Sequence, residues 1–179
     1  MKRLTVVAIA TFILSASVGF VGWTLAIPWR AMSVAEERIA ARLGGYNRTS
    51  HGAPRTHRHR GVVMPAPDLL YSACPYDLQA GDLLVDFEPP PDVYWSISFY
   101  AHNTDNYHTI TAADAGAGPL RLRVRHGAPA ETDDADLVLS TTRRGIVLLR
   151  IFMPDRSDYE ALAESQRTAD CRPVSGLDT

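Results

Sequence analysis

The hydrophobic pattern of the chain opens with a long apolar segment. Residues 4–29 contain no ionisable side chain. As an α-helix this segment would measure about 39 Å, which exceeds the roughly 30 Å hydrocarbon core of a bilayer. We therefore predict a transmembrane anchor over residues 1–30, with the lipid bilayer as its partner through residues 4–29.

A cleaved signal peptide is the alternative interpretation of this segment. Lys2 and Arg3 form a charged start, and a small-x-small triplet occurs late in the segment at Thr24-Leu25-Ala26. A signal peptide, however, has an apolar core of about 7 to 15 residues and prefers an Ala-x-Ala cleavage site. The longer apolar run and the aromatic residues within it favour an anchor.

A short stalk is predicted to follow the anchor. Pro28 predicts the end of the membrane span, because proline interrupts a helix. Ser33 with Glu36 three residues later forms a capping-box pattern that opens a second, short helix. The Gly44-Gly45 pair predicts where that helix ends.

The stretch from Tyr46 to Arg60 is polar and basic, with arginines interleaved with His51, His57 and His59. This composition is typical of an exposed linker, so we assign stalk helix and linker together to residues 31–61. Metal binding by the histidines is the alternative, but it requires a geometry that a linker does not fix. We predict no metal and no cofactor for the chain.

Beyond the linker the hydrophobic pattern changes to a period of two, which indicates β-strands. Apolar residues alternate with polar ones from Val93 to His102, the clearest strand in the chain. The segments from Leu120 to Arg125 and from Leu83 to Phe87 alternate in the same way. A sheet with one apolar and one solvated face follows from this pattern.

The end of the chain predicts a closing hairpin and a helix. Leu137 to Ser140 and Ile146 to Met153 flank a polar turn, and the more continuously apolar second strand is predicted to be more central. Ser157 with Glu160 predicts the start of a final helix that runs to about Ala169.

The predicted fold class is mainly β, a β-rich α+β protein. One N-terminal transmembrane helix precedes an antiparallel β-sandwich or half-barrel that carries a C-terminal helix. We assign residues 62–173 to this domain and residues 174–179 to a tail. A chain of 179 residues has room for one such domain.

Charge excludes one class of partner and suggests an orientation. The formal net charge is −2, so the chain lacks the basic excess that binds nucleic acid. Lys2 and Arg3 directly precede the span, whereas Glu36 and Glu37 follow it closely. This bias favours a cytoplasmic N-terminus and an extracytoplasmic domain.

Cys74 and Cys171 are the only cysteines of the chain. In an oxidising compartment an even number of cysteines supports a disulfide, which would tie the end of the domain to its beginning. Two unrelated buried thiols are the alternative.

Polar and aromatic side chains concentrate between Tyr94 and His108, where we place the candidate ligand-binding surface. Hydroxyl, amide and aromatic groups can hydrogen-bond and stack on a sugar or another polar ligand. The alternative is a solvated strand face that runs into a tight turn. The candidate residues are Tyr94, Ser96, Ser98, Tyr100, His102, Asn103, Asp105, Tyr107 and His108.

Catalytic chemistry finds less support in the sequence. His102, Asp105 and His108 are the only clustered titratable groups of this candidate surface, and their spacing matches no established metal-ligand pattern. No nucleophile elbow, zinc-protease motif or paired-carboxylate spacing is present. We therefore assign no catalytic residue.

Three segments of the chain resemble a bacterial family known as domain of unknown function 1254. They are Pro67-Asp68-Leu69-Leu70-Tyr71, then Tyr76 to Gly81, then Tyr94 to Tyr107. The closing segment after Ile146 is also similar, so the resemblance covers about residues 64–173. Ala66, where the family usually has asparagine, and Cys74 depart from its pattern.

The resemblance implies a β-rich envelope domain, in a short form without the companion domain 1214. It supplies no activity and no catalytic residues. Together with the anchor it implies a single-pass protein of the bacterial inner membrane, with a periplasmic C-terminal domain. We expect a non-enzymatic binding or accessory protein with an envelope protein or polar ligand as its partner. The alternatives are a hydrolase or other enzyme acting on envelope carbohydrate or a small molecule, and a subunit of a membrane assembly.

Overall fold

The computed structural model describes residues 2–54, 65–116, 118–127 and 136–174. It begins with one long helix and continues with nine strands, the first of which has only two residues and lies close to the end of the helix. The elements are α1 Lys2–Leu43, β1 Ser50–His51, β2 Leu69–Asp77, β3 Leu83–Phe87, β4 Trp95–Ala101, β5 Asn106–Thr111, β6 Leu120–His126, β7 Leu137–Ser140, β8 Arg144–Phe152, a 3₁₀ turn Arg156–Asp158, α2 Tyr159–Thr168 and β9 Asp170–Pro173.

Helix α1 is continuous through Pro28, so the predicted break and the separate stalk helix are wrong. Proline removes one backbone N–H donor. A helix can nevertheless continue past it when other partners satisfy the carbonyl group that loses this donor. Ser33 does not cap a helix, because its hydroxyl donates to the Trp29 carbonyl one turn earlier (2.9 Å). The predicted C-terminus is close to the observed one, since α1 ends at Leu43 and Gly44 has a φ of 74°.

The N-terminal part of α1 is exposed along its whole length, including its large apolar side chains. By length and composition it is the one helix in the described residues that could cross a membrane, a test that a signal sequence also passes. The C-terminal part of α1 differs, because Met32, Glu36 and Ala40 are buried. These residues lie one helical turn apart, and this side of α1 packs against β2 and β8.

The strands form two sheets. Sheet A has the order β1-β2-β8-β4-β5 and is antiparallel throughout. Sheet B has the order β7-β6-β3-β9, in which only the β6–β7 pair is parallel. The predicted β-rich sandwich with a C-terminal helix is confirmed as the fold class.

The predicted closing hairpin of the two late strands is wrong. β7 pairs with β6 in sheet B, whereas β8 pairs with β2 and β4 in sheet A. The polar turn between them is therefore a crossing from one sheet to the other. β8 is nevertheless central, as its continuous apolar pattern predicts, because both of its neighbours in sheet A are long strands.

The hydrophobic core lies between the two sheets. Sheet A contributes residues such as Ile97, Phe99 and Leu149, and sheet B contributes Val85 and Phe87. The Cys74–Cys171 disulfide, which the sequence predicts, joins β2 of sheet A to β9 of sheet B. It therefore holds the two layers of the sandwich together.

Helix α2 packs against β2 and β3 and is preceded by the 3₁₀ turn. The cap is Asp155 rather than Ser157, because the Asp155 carboxylate accepts a hydrogen bond from the Ser157 backbone (2.8 Å). The buried Gln166 amide donates to the carbonyls of Gly52 and Tyr71 (3.1 and 3.0 Å). α2 thereby holds β1 at the edge of sheet A.

The predicted exposed linker is partly ordered on the domain surface. Ser50 and His51 pair with β2, and the Asn47 side chain exchanges hydrogen bonds with the Asp77 backbone (2.8 and 3.0 Å). His57 and His59 lie outside the described residues. The folded part of the domain therefore begins before residue 62, close to the end of α1.

Candidate functional site

The face of sheet A that points away from sheet B, called the outer face below, brings polar side chains from four strands into rows. In one row the register aligns Tyr71 of β2, Arg150 of β8, Ser96 of β4 and Thr111 of β5. Directly opposite residues of antiparallel strands lie on the same face, so these four side chains are neighbours. The next row is Ala73, Leu148, Ser98 and Thr109.

Arg150 lies across the centre of the outer face. Its Nη2 donates to the Ser98 hydroxyl (2.9 Å) and to the Tyr100 hydroxyl (3.2 Å). Its Nε is buried and has no hydrogen-bond partner. Thr109 donates to the same Ser98 hydroxyl (3.2 Å), so the hydroxyls of β4 and β5 form one connected polar surface around the guanidinium.

Aromatic side chains border this polar surface. Tyr94 is 54% exposed and Phe152 is 37% exposed, and both lie at the end of the sheet, where the Phe152 amide donates to the Tyr94 carbonyl (2.8 Å). Tyr71 and Tyr100 are half-buried beside Arg150. Exposed rings can stack on a ligand while hydroxyls that are not buried, such as those of Thr109 and Tyr100, hydrogen-bond to it.

The structure brings four of the sequence-predicted residues together on the outer face, namely Tyr94, Ser96, Ser98 and Tyr100. Alternation along β4 explains this placement. Ser96 and Ser98 are buried, however, so the expected solvated strand face is covered at its centre. Arg150 and Thr109 both contact the Ser98 hydroxyl.

His102 is not part of the outer face, because helix α1 contacts it. Its Nδ1 donates to both carboxylate oxygens of Glu36 (2.9 and 3.0 Å), and its Nε2 forms a hydrogen bond with the Ser33 hydroxyl (3.2 Å). The Trp29 ring packs edge-on against the imidazole, with ring centroids 5.4 Å apart. We call this cluster of Trp29, Ser33, Glu36 and His102 the helix dock.

Glu36 is 0% exposed, and its charge has neighbours on several elements. Burial raises the pKa of this carboxyl above its ordinary value, while the hydrogen bond and charge of His102 and the charge of Arg144 oppose the rise. Asp77 adds to the rise through its own negative charge, although Arg144 pairs with it (2.8 Å). The dock thus joins α1 to the ends of β2, β4 and β8.

Tyr107 points into the core rather than toward a ligand surface. Its hydroxyl lies 3.1 Å from the Tyr76 hydroxyl, and its ring packs against Phe99. Burial raises the pKa of both tyrosines. A register shift between Phe99 and Tyr100 accounts for this orientation, because a β-bulge turns the following side chains relative to simple alternation.

The remaining predicted residues lie in or after the β4–β5 turn. Asn103 donates to the Asp105 carboxylate (2.5 Å), and Thr104 has a φ of 73°, so this segment is a tight local turn. The exposed His108 ring lies against Phe99. His102, Asp105 and His108 therefore take part in three different local arrangements. Within the described ranges no group of three or more His, Cys, Asp or Glu side chains could hold a metal ion.

Sequence reasoning missed the residues that other strands add to the outer face, which are Tyr71, Thr109, Thr111, Arg150 and Phe152. Arg150 carries a signal that points to it. It interrupts the apolar run of the strand that the sequence predicts to be central. An arginine in such a strand needs a polar partner, and that partner marks a polar region on the sheet.

Two cavities occur elsewhere in the described residues. One of about 20 Å³ lies between the sheets beside the disulfide and is large enough for about one water molecule. A surface depression of about 400 Å³ lies where β3 ends and β6 begins, beside Leu120 and Arg121. Neither of these two cavities is lined by the outer-face residues.

Two solved structures are similar to this chain in fold. The VPA0106 protein from Vibrio parahaemolyticus is 10% identical, with a TM-score of 0.62 over 87% of this chain and 36% of that one. A putative uncharacterized protein from Burkholderia cenocepacia is 15% identical, with a TM-score of 0.50 over 86% of this chain and 41% of that one. This chain therefore spans well under half the length of these two proteins, and the likeness concerns the fold alone.

No curated protein matches the chain. The profile of a family described as a protein of unknown function, DUF1254, matches residues 46–173. That range includes all nine strands, from β1 to β9, and the match confirms the resemblance drawn from the sequence. The chain belongs to the DUF1254 family.

Proposed function

We propose that this chain is a membrane-anchored, non-enzymatic binding domain that takes a polar ligand on the outer face of sheet A. The observation that carries the proposal is the composition of that face. Aromatic rings and hydroxyls from four strands surround one guanidinium, while the acid–base groups predicted from the sequence lie elsewhere. Such a surface suits recognition of a polar molecule better than proton transfer.

The anchor in this proposal is the exposed apolar part of α1, inserted in the bacterial inner membrane as a single span. The N-terminus is then cytoplasmic, and the domain from residue 62 to residue 173 is periplasmic. The charge bias at Lys2 and Arg3 supports this orientation, and the Cys74–Cys171 disulfide suits an oxidising compartment. Because α1 continues from the apolar segment into the helix dock, the domain would be held close to the membrane in a fixed orientation.

A reporter fusion tests the orientation. Alkaline phosphatase fused after Gly45 is active only outside the cytoplasm, so we expect an active fusion. An inactive phosphatase, together with an active cytoplasmic reporter at the same position, would contradict the proposed topology.

A ligand panel tests the binding proposal on the full chain in detergent. The probes are chitotriose, glucuronate and inorganic phosphate, and the readout is the thermal midpoint. We expect at least one probe to raise the midpoint of the parent but not of Tyr94→Ala or Phe152→Ala. Leu139→Ala is the matched control, because Leu139 is also 37% exposed but lies on sheet B. A panel without any shift, or a shift that survives in both outer-face variants, would refute the proposal.

A subunit role in a membrane assembly is the second candidate function. The exposed Tyr94 and Phe152 rings favour it, because an exposed aromatic pair can be covered by a neighbouring protein. In that case Tyr94→Ala and Phe152→Ala would weaken co-purification of a membrane partner. None of the three probes would raise the thermal midpoint of the parent. The enzyme alternative has no comparable support, since His102 is occupied by Glu36 and Ser33.

A further inference from the structure

Within the described residues Arg150 has no acidic partner, whereas several other arginines of the domain form ion pairs. Arg125 pairs with Asp82 (2.7 Å), Arg144 with Asp77 (2.8 Å) and Arg172 with Asp86 (2.5 Å). For Arg150, the described part of the chain supplies only the hydroxyls of Ser98 and Tyr100. Its positive charge is therefore hydrogen-bonded but not neutralised.

A half-buried, unneutralised guanidinium is costly to the fold. Buried charges are normally paired, because removing an ion from water is repaid only by an opposite charge or by complete hydrogen bonding. Here even the hydrogen bonding is incomplete, since the buried Nε has no acceptor. A residue that costs stability in this way and sits at the centre of a polar face is suited to a ligand that supplies the missing charge.

The donors that remain at this position fit an oxyanion. Nη2 is used by Ser98 and Tyr100, while Nη1 makes no hydrogen bond within the described residues. Tyr100 accepts from Arg150, and its own proton has no acceptor in the same part of the chain. One guanidinium donor and one phenol donor therefore remain beside each other, and planar guanidinium donors match the oxygens of phosphates and carboxylates.

We propose that Arg150 and Tyr100 form an oxyanion-binding site for a phosphate or carboxylate group of the ligand. This inference rests on the proposed function, because it names the chemistry of the ligand that the outer face takes. The Nη1 group donates to one oxygen of the anion and the Tyr100 hydroxyl donates to another. The Ser98 hydroxyl accepts hydrogen bonds from the guanidinium and from Thr109, and these contacts hold the guanidinium in place.

Phosphorus NMR titration of the full chain in phosphatidylcholine nanodiscs tests the site with inorganic phosphate. We expect saturable binding to the parent and at least about tenfold weaker binding to Arg150→Met, since a hydrogen bond to a charged group contributes roughly this factor or more. Tyr100→Phe removes one donor and should weaken binding by a smaller factor. Arg167→Met is the control, because it removes the same charge from an exposed position on α2.

The source of the anion is distinguished by repeating the titration in nanodiscs that contain phosphatidylglycerol. If lipid headgroups fill the site, the apparent affinity for inorganic phosphate falls in these discs for the parent. If the ligand is a free solute, the affinity is unchanged. Both results support an oxyanion site.

Absence of binding by both inorganic phosphate and glucuronate, or equal phosphate binding by the Arg150→Met and Arg167→Met variants, would overturn the inference. Circular dichroism and the presence of the Cys74–Cys171 disulfide confirm that each variant is folded. Should chitotriose bind to the outer face while neither phosphate nor glucuronate does, the binding function stands and only the oxyanion site is refuted. If none of the three probes binds the parent, both fail.

Discussion

At the scale of single residues, the outer face of sheet A combines side chains from strands that lie far apart in the sequence. Tyr94, Ser96, Ser98 and Tyr100 lie on one side of β4, as a period of two requires. Arg150 joins them only because β8 pairs with β4, and that pairing connects residues 52 positions apart in the chain. No local pattern contains this information.

Tyr107 and His102 were predicted to belong to the ligand-binding surface because they lie close to it in the sequence. In the structure neither lies on the outer face. A register shift at Phe99 and Tyr100 turns Tyr107 into the core. His102 is withdrawn from the surface by Glu36, a residue of the helix that the sequence analysis treated as a separate stalk. Both outcomes depend on tertiary contacts rather than on residue type.

The Arg150→Met variant is expected to be at least as stable as the parent. Methionine retains part of the apolar stem. It removes a charge that has no acidic partner among the described residues, together with a buried Nε that has no acceptor there. Leaving a buried polar group unsatisfied costs about 1–3 kcal/mol, so a gain of about 1 kcal/mol in unfolding free energy is reasonable. Thermal denaturation of both chains without ligand measures it. A marked loss of stability would indicate that Arg150 is a structural residue.

The helix dock should depend on pH through Glu36. Burial raises the pKa of Glu36 from an ordinary value of 4.5. The stability that this carboxyl contributes is therefore fully present below that value and is lost as the pH rises through the raised pKa. Glu36→Gln cannot ionise, so its thermal midpoint relative to the parent should improve as the pH increases.

This comparison needs a control, because His102, Arg144 and Asp77 also face Glu36 and contribute charge. Glu37→Gln removes a carboxyl from the next, exposed position of α1. Its midpoint relative to the parent should not improve with pH in the same way. A constant difference between Glu36→Gln and the parent from about pH 4 to about pH 8 would contradict a buried, ionising Glu36.

At the scale of elements, the sequence predicted the strands better than their partners. Alternation identified β3, β4 and β6, and the continuous apolar run identified β8 as central. The same reasoning paired β7 with β8 because a polar turn separates them, although they belong to different sheets. A turn within a hairpin and a turn that crosses between layers contain the same residue types, so composition cannot distinguish them.

The disulfide is the element-level contact whose effect is easiest to measure. It joins the two sheets across a separation of 97 residues, so it restricts the unfolded chain strongly. Replacing both Cys74 and Cys171 with alanine should lower the unfolding free energy by roughly 2–5 kcal/mol. Denaturant titration of the parent, with and without reductant, provides the comparison. If full reduction of the parent leaves its midpoint unchanged, the bridge contributes nothing to stability.

At the scale of the whole molecule, one feature was not predictable from local patterns. Pro28 indicated two separate helices, whereas α1 is a single helix whose apolar part leads directly into the sandwich. The burial of Met32, Glu36 and Ala40 against the domain favours continuation of the helix. The molecule thus has a long exposed apolar helix whose C-terminal part packs directly on the β-sandwich.

This arrangement gives the outer face of sheet A a defined position. α1 packs on strands of sheet A, and the helix dock lies at the end of β4, which also carries Ser96, Ser98 and Tyr100. In the proposed topology the binding surface is therefore presented on the same side of the domain as its anchor. Sheet B, with its arginine–aspartate pairs, lies on the other side of the core.

Chemical-shift mapping of the full chain tests most directly whether the outer face of sheet A binds ligands. Backbone amides are followed by NMR in detergent micelles during separate titrations with chitotriose and inorganic phosphate. Binding at the outer face predicts that the shifts concentrate at Ser96, Ser98, Tyr100, Thr109 and Arg150. Shifts that concentrate on β3 and β6 of sheet B, or no saturable shifts with either probe, would contradict it.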